Sequence, residues 1–294
     1  MRMPSSFSRS RVSGKPLIKR PHAYRENMLR VGVIGAGQIG SAIAKALAES
    51  GKYKVIASRR NIEKIKDLER LGVELTTDNR HVAKTSDAVF LAVKPNKVSM
   101  VLREVSDLLD GKLLISVAAA IPTSRLGFLA PRAKIIRAMP NVGLIVKTGF
   151  TAYCRGPNIT EQDIKVVQEL LGELGAYVEV DEDLMDAITA LSGSGPAYVA
   201  LLIEAMAYAG LKVGLPRDLA YKSSAYTVYG TAKLMLETGL HPSTIKEMVL
   251  TPGGTTIEGI FYLEEGGVRT AVMKAVEAAT KRAREIAEKL NSSI

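Results

Sequence analysis

The run Arg30-Val31-Gly32-Val33-Ile34-Gly35-Ala36-Gly37-Gln38-Ile39-Gly40, leading into Ser41-Ala42-Ile43-Ala44-Lys45-Ala46-Leu47-Ala48, constrains the fold more than any other stretch. Val31, Val33 and Ile34 predict a short buried β-strand. Gly35, Gly37 and Gly40 then fall in the G-x-G-x-x-G spacing, where a strand turns into a helix. Gly35 permits the tight turn, Gly37 removes a side chain that would block a pyrophosphate, and Gly40 lets the helix lie close on the sheet. The unpaired N–H groups that open the helix, around Gln38 and Ile39, face the phosphates. The pattern predicts a dinucleotide site.

Gly51 ends that helix, and Lys54-Val55-Ile56-Ala57-Ser58 reads as the second parallel strand. An NAD site places an acid here, about 20 residues past the motif, to bind the ribose 2′-hydroxyl. This chain has Ser58-Arg59-Arg60-Asn61 instead. A carboxylate would repel a 2′-phosphate, whereas two guanidinium groups and a hydroxyl would hold it, so NADP is expected, with NAD as the alternative.

The alternation continues. Asn61 to Leu71 predicts a helix, Val73-Glu74-Leu75 a short strand, and Asp78-Asn79 a turn or helix cap. Asp87 to Val93 is a near-continuous apolar run, the mark of a strand buried on both faces, and it ends in Lys94-Pro95. Because ligands of open α/β sheets collect at the carboxyl ends of strands, Ala92, Val93, Lys94 and Pro95 should border the cofactor. Leu113 to Val117 leads into Ala118-Ala119-Ala120-Ile121-Pro122, whose small residues leave room for a flat ring. Further strands are expected at Ala133 to Met139, Thr148 to Cys154 and Ala176 to Val180, with a helix at Glu161 to Gly172. The fold class is α/β, a doubly wound sheet to about Val180.

Beyond that the period changes to helical. Ser194 is expected to cap a helix with Pro196 in its first turn, and Leu201, Leu202, Ala205, Ala209 and Val213 leave it few polar faces, so it should be buried between other helices. Helices are also expected from Leu215-Pro216-Arg217 to Glu237, from His241-Pro242-Ser243, and along Val268, Val272, Ala275, Ala279, Ala283, Ile286 and Leu290. So many apolar faces predict packing against a second copy. The expected organisation is a basic leader over 1–29, a dinucleotide-binding domain over 30–180, and a helical dimerisation and substrate domain over 181–294.

The net charge of +10 invites nucleic acid, but the first thirty residues hold eight Lys or Arg against Glu26 alone. No nucleic-acid partner is expected. That Ser- and Arg-rich leader is expected to be disordered or loosely attached. It reads as an organelle transit peptide or as an upstream extension of a chain starting at Met28; Pro4, Gly14, Pro16 and Pro21 disfavour the amphipathic helix of a transit peptide. No membrane span is expected either: the most apolar run, Ala197 to Gly210, is broken by Glu204 and falls short of the ~20 residues required. The single cysteine, Cys154, excludes an internal disulfide and suits a reducing, cytoplasmic setting. His22, His81 and His241 have no metal-ligand spacing, so no metal is expected.

Between the helices sits Leu250-Thr251-Pro252-Gly253-Gly254-Thr255-Thr256-Ile257. Glycines followed by two threonines at a helix start expose backbone donors and hydroxyls together, a cradle for a small carboxylate. With Gly35 to Gly40, Ala92 to Pro95, Arg137-Ala138-Met139-Pro140-Asn141 and Leu191-Ser192-Gly193-Ser194-Gly195-Pro196-Ala197-Tyr198, this turn resembles the pyrroline-5-carboxylate reductase family, from about residue 30 onward. The resemblance implies NAD(P)H-dependent reduction of 1-pyrroline-5-carboxylate to proline, a Rossmann domain followed by a helical dimerisation domain, and dimers often joined into decamers. By position it implies cofactor contacts at Asn79, Ala92 to Pro95, Ala118 and Ala119. It also implies substrate-carboxylate contacts at Thr251, Gly253, Gly254 and Thr255, with the ring nitrogen held by Thr256. The chain departs from the family in having Asn141-Val142-Gly143 where Asn-Thr-Pro is usual, and Ala119-Ala120 where Ala-Gly is usual.

A cyclic imine is readily protonated, which makes its carbon electrophilic, so a positioned hydride donor can act without a strong side-chain acid. Two other classes share the plan. A ketopantoate-type or β-hydroxyacid dehydrogenase would use a helical lysine such as Lys212, Lys222 or Lys233, and an NADP-sensing regulator would need no substrate cradle; neither explains Pro252-Gly253-Gly254-Thr255-Thr256.

Overall fold

The structure, a computed structural model, describes residues 28–292. The expected loose leader falls almost wholly outside the described residues. The strands are β1 (Arg30–Ile34), β2 (Lys54–Ser58), β3 (Glu74–Thr76), β4 (Ala88–Leu91), β5 (Leu113–Ser116), β6 (Lys134–Pro140), β7 (Gly149–Arg155) and β8 (Gly175–Glu179). They form one sheet in the order β3-β2-β1-β4-β5-β6-β7-β8. The helices between them are α1 (Gln38–Ser50), α2 (Asn79–Thr85), α3 (Val98–Val105), α4 (Thr123–Leu129) and α5 (Glu161–Gly172). Ile62–Leu71 is a 3-10 helix, where the pattern gave a helix of unspecified type.

Alternate residues of each strand enter opposite cores, which is why the central strands read as unbroken apolar runs. Val31, Val33, Phe90 and Ile115 pack with Ile43 and Leu47 of α1 and Leu170 of α5. Ile34, Val89, Leu91 and Leu114 pack on the other face with Val82, Leu102, Leu126 and Leu129 of α2, α3 and α4.

The doubly wound sheet expected to about Val180 is present, and it is mixed: β7 runs antiparallel to β6, with Arg137 opposite Cys154. The connection from β6 is a short 3-10 turn, Val142–Val146, closed by Lys147 at φ 59. A parallel return would need a crossover of a dozen or more residues, which this turn does not provide. β8 then pairs parallel with β7 after crossing through α5.

From Met185 to the end of the described chain there is helix and no strand among the described residues: α6 (Met185–Ile188), α7 (Gly195–Lys212), α8 (Arg217–Thr238), α9 (Pro242–Glu247), α10 (Thr255–Glu265) and α11 (Val268–Ser292). Ser194 stands at the N-cap position of α7, but its side chain caps nothing. It has helical backbone angles, because a π-helical turn over Thr189–Gly193 carries α6 into α7, with Ser194 N–H bonded to Thr189 O at 2.9 Å. Pro196 follows that turn near the start of α7, where a missing N–H costs least.

α7 is not sheathed by its own chain either. Of its residues only Ala207 is buried, and Leu201 is 65% exposed. The helical run Glu182–Lys212 is long and apolar enough to cross a membrane by length and composition, with an 18-residue window of mean hydropathy 1.2, contrary to the expectation drawn from Ala197–Gly210 alone.

Candidate active site

The glycine-rich turn sits where the sheet places it. Ser58 O, at the end of β2, accepts N–H bonds from Gly35 at 3.2 Å and Ala36 at 2.8 Å, and Ala92 N–H bonds to Ile34 O at 2.8 Å. The three glycines do three different things. Gly35 has φ 90, a left-handed value open to glycine. A Cβ on Gly40 would lie 2.5 Å from Gly35 O and 3.1 Å from Ala92 Cβ, so only glycine lets α1 approach the turn and β4. A Cβ on Gly37 would meet nothing nearer than Gly35 O at 4.0 Å. The chain's own packing does not require that glycine, whereas a bound pyrophosphate would. Gly37 also opens α1 without a side-chain cap, leaving first-turn N–H groups to an anion. These features fit a dinucleotide.

Around this turn the structure gathers most of the expected adenosine-side residues. Ser58 is 1% exposed, and its hydroxyl, expected to serve a 2′-phosphate, donates to Asn79 Oδ1 at 2.7 Å. Arg59 Nη1 donates to Ala36 O at 3.0 Å, bracing the turn, while Arg60 is exposed. Asn79 opens α2, whose cap Asp78 accepts from Arg80 N–H at 2.8 Å. One residue that sequence reasoning missed is Glu104 on α3, which accepts from Asn79 Nδ2 at 3.1 Å. Nothing in the pattern of α3 distinguishes that acid from an ordinary solvated one.

The next two strands end at Leu91 and Ser116, just short of the expected Val93 and Val117. Val93 Cγ1 would lie 2.5 Å from a Cβ on Gly35, Lys94 is exposed, and Pro95 opens a 3-10 turn. Ala118 is buried after β5, Ala119 is half-buried, and Ala120 holds φ 61. The usual family glycine at that position has a physical reason here, since the backbone is left-handed.

Two of the motifs prove to be two sides of one seam. Arg137 on β6, 6% exposed, pairs with Glu182 at 3.1 Å and Asp186 at 3.3 Å. Glu182 also accepts from Thr123 Oγ1 at 2.6 Å and Thr123 N–H at 2.8 Å. Asn141 Nδ2 donates to Ser192 Oγ at 3.3 Å, and a Cβ on Gly193 would strike Met139 Cε at 2.5 Å. Cys154 lies in the small core beneath, with Met139 and Met185.

The Pro-Gly-Gly-Thr-Thr turn stands apart from these. Gly253 has φ 67, Gly254 N–H bonds Thr251 O at 3.0 Å, and Gly254 opens α10 without a side-chain cap. A Cβ on Gly254 would lie 2.1 Å from Thr251 Oγ1, so the glycine admits the threonine hydroxyl beside the helix N-terminus. Thr251 and Thr255 are exposed and Thr256 is half-buried. Among the described residues no hydrogen bond or ion pair joins this turn to the sheet domain of the same chain. No group of three or more His, Cys, Asp or Glu among the described residues could hold a metal.

Comparison with known proteins agrees with this geometry. A family profile described as pyrroline-5-carboxylate reductase dimerisation matches residues 182–286, and one described as NADP oxidoreductase, coenzyme F420-dependent, matches residues 30–120. Pyrroline-5-carboxylate reductase 2 of Homo sapiens is 39% identical over 268 residues, 88% of this chain and 84% of its own. Pyrroline-5-carboxylate reductase of Methanosarcina acetivorans is 40% identical over 270 residues, 88% of this chain and 98% of its own. A crystal structure of Plasmodium falciparum pyrroline carboxylate reductase with NADP bound superposes with TM-score 0.81 at 30% identity, covering 88% of this chain and 98% of that one.

Proposed function

The chain belongs to the pyrroline-5-carboxylate reductase family, and from that premise we propose how its own residues carry out the NAD(P)H-dependent reduction of 1-pyrroline-5-carboxylate to L-proline. The uncapped start of α10, with Thr251 Oγ1 lying beside Gly254, is the observation that carries the assignment of roles. First-turn N–H groups and the Thr251 hydroxyl receive the substrate carboxylate, helped by the positive end of the helix. Thr256, the second residue of the same helix, hydrogen-bonds the ring nitrogen. The coenzyme, held by the turn Gly35 to Gly40 with Ser58, Arg59, Arg60, Asn79, Ala92 to Pro95, Ala118 and Ala119, supplies the hydride when bound.

A threonine hydroxyl is too weak an acid to be the proton source, and no histidine lies in these motifs. Thr256 therefore orients the nitrogen, and water or the already protonated imine supplies the proton. The protein contributes position and charge complementarity at the substrate carboxylate and ring nitrogen.

The exposed apolar side chains of α7, α8, α10 and α11, among them Leu201, Leu236 and Phe261, support a second copy as their cover. We assign residues 30–180 to the dinucleotide-binding unit and 181–294 to the dimerisation and substrate unit, in a cytoplasmic homodimer or a higher assembly up to a decamer. The turn of α10 then completes an active site with the sheet domain of its own or the partner subunit. The test is NADPH oxidation with pyrroline-5-carboxylate, against ketopantoate and hydroxyisobutyrate semialdehyde, with light scattering at assay concentration. Turnover of the first substrate alone by an oligomer supports this assignment; preference for another substrate or an active monomer overturns it.

A further inference from the structure

Asn79 is gripped at both ends of its amide. Oδ1 accepts from Ser58 Oγ at 2.7 Å, and Nδ2 donates to Glu104 Oε2 at 3.1 Å. The two grips are chemically unequal. A serine hydroxyl donates or accepts and so suits either orientation of the amide, whereas an ionised carboxylate only accepts. Glu104 alone therefore decides which end of Asn79 is the NH2. A flipped amide would set its oxygen against the Glu104 carboxylate.

The main chain of Glu104 is itself anchored. Arg80, the residue after Asn79, donates from Nη1 to the Glu104 main-chain oxygen and Asp107 Oδ1, and from Nη2 to Asp107 Oδ2 at 2.7 Å. That exchange ties the start of α2 to the end of α3 and holds the Asp107 carboxyl below its ordinary range. An acid facing the adenosine end of an NADP site also runs against simple charge complementarity, since it repels a 2′-phosphate. Its presence there asks for a compensating role, and the hydrogen bond to Asn79 supplies one.

We propose that Glu104 is a positioning residue for coenzyme binding: by fixing the amide orientation of Asn79, it presents one free N–H and one free oxygen lone pair to the adenosine ribose and its 2′-phosphate. This rests on the assignment of Ser58 and Asn79 to the adenosine half of the site. It adds a residue that acts only through another.

The experiment measures NADP+ binding by calorimetry, and steady-state kinetics, for Glu104→Ala, Glu104→Gln, Asn79→Ala and the Asn79→Ala/Glu104→Ala pair. Glu104→Ala should weaken NADP+ binding and raise the NADPH KM by about five- to tenfold, the scale of one lost hydrogen bond, with kcat and the substrate KM within about twofold of wild type. Glu104→Gln, whose amide can offer Asn79 either its oxygen or its NH2, no longer decides the orientation and should recover only part of the loss. In the Asn79→Ala background the second substitution should cause no further loss. Unchanged binding in Glu104→Ala, tighter binding in both Glu104 variants, or an equal further loss in the Asn79→Ala background overturns the proposal. Calorimetry needs no turnover, so binding shifts of the expected kind in a protein inactive on pyrroline-5-carboxylate would overturn the assigned reaction and leave the role of Glu104 standing.

Discussion

Arg137 and Glu182 meet as an ion pair in which the arginine is almost fully enclosed, Nη1 to Oε1 at 3.1 Å, and they fasten the sheet to the first helices beyond it. Asp186 takes the other Nη at 3.3 Å, so one guanidinium serves two carboxylates. Arginine suits this place because its planar fork donates in two directions at once.

Removing the cation leaves two carboxylates facing each other across a partly desolvated seam. Arg137→Ala should cost about 3 kcal/mol, toward the lower end for a broken buried pair because both acids keep some water. Arg137→Lys keeps the charge but loses the fork and should cost roughly half of that. Urea unfolding at fixed protein concentration measures both, concentration mattering because assembly is linked to stability. Wild-type midpoints in Arg137→Ala would show that the pair contributes nothing net.

Ala120 holds φ 61, where an L side chain is strained. Ala120→Gly relieves that strain but loses a buried methyl and frees the unfolded chain, so it should lie between neutral and about 1 kcal/mol stabilising. Ala119→Gly gains no such relief and should lose about 0.5–1 kcal/mol. Chemical denaturation of the two variants side by side decides this; a larger loss at 120 than at 119 refutes it.

What could be read from the sequence follows from what each residue reports on. Val89, Phe90 and Leu91 are covered on both sides, and such strands announce themselves as apolar runs whatever their neighbours. Strand direction is not written there. β7 has the same composition as a parallel strand, and only the shortness of the Val142–Val146 connection reverses it. Apolar spacing in α7 predicted burial between helices, yet the chain itself leaves Leu201 and Leu202 exposed, because spacing alone does not say what covers a face. Ser194 shows the opposite failure: Gly193, Gly195 and Pro196 look like a break, yet a π-turn ending at Gly193 runs straight into α7. In the site, Gly35, Gly40 and the Thr251-to-Thr256 turn are local features and were legible. The bond between Asn79 and Glu104 joins residues 25 apart on separate helices and depends on their packing.

Burial pushes the Cys154 thiol up to about 12 from an ordinary 9.0, with Glu182 adding to the effect. The folded form thus holds its proton more tightly than the unfolded one. Stability from this group is complete below pH 9 and is lost as pH rises toward 12. A thiol-specific disulfide reagent at pH 8 should find no reactive thiol in the native protein and one per chain after denaturation. Cys154→Ala should show a shallower alkaline fall in stability than wild type. Prompt labelling of native protein would contradict the buried, protonated state.

The two arginines after β2 should separate in kinetics. Arg60 is exposed and makes no hydrogen bond or ion pair with another described residue, so Arg60→Ala should raise the KM for NADPH severalfold and leave NADH nearly unchanged. Arg59 also braces Ala36 O, so Arg59→Ala should weaken both coenzymes, NADPH more. Equal losses with both coenzymes in Arg60→Ala would exclude it as a phosphate contact.

The role proposed for Thr256 concerns the chemical step itself; the residue is half-buried in the first turn of α10, while Thr251 is exposed. A hydrogen bond to a nitrogen that gains charge strengthens along the reaction, so Thr256→Ala should lower kcat/KM by roughly ten- to a hundredfold, the ~1.5–3 kcal/mol of a bond to a charged group. Thr256→Ser keeps the hydroxyl and should lose much less. Thr251→Ala removes a carboxylate contact made equally in the ground and transition states, so it should raise the substrate KM with little change in kcat. Steady-state kinetics on the three variants, with NADPH binding followed separately by fluorescence, gives the comparison. Wild-type kinetics in Thr256→Ala, or equal impairment of folded Ser and Ala variants, would remove the hydroxyl from the mechanism and leave the nitrogen to water and to the substrate's own protonation.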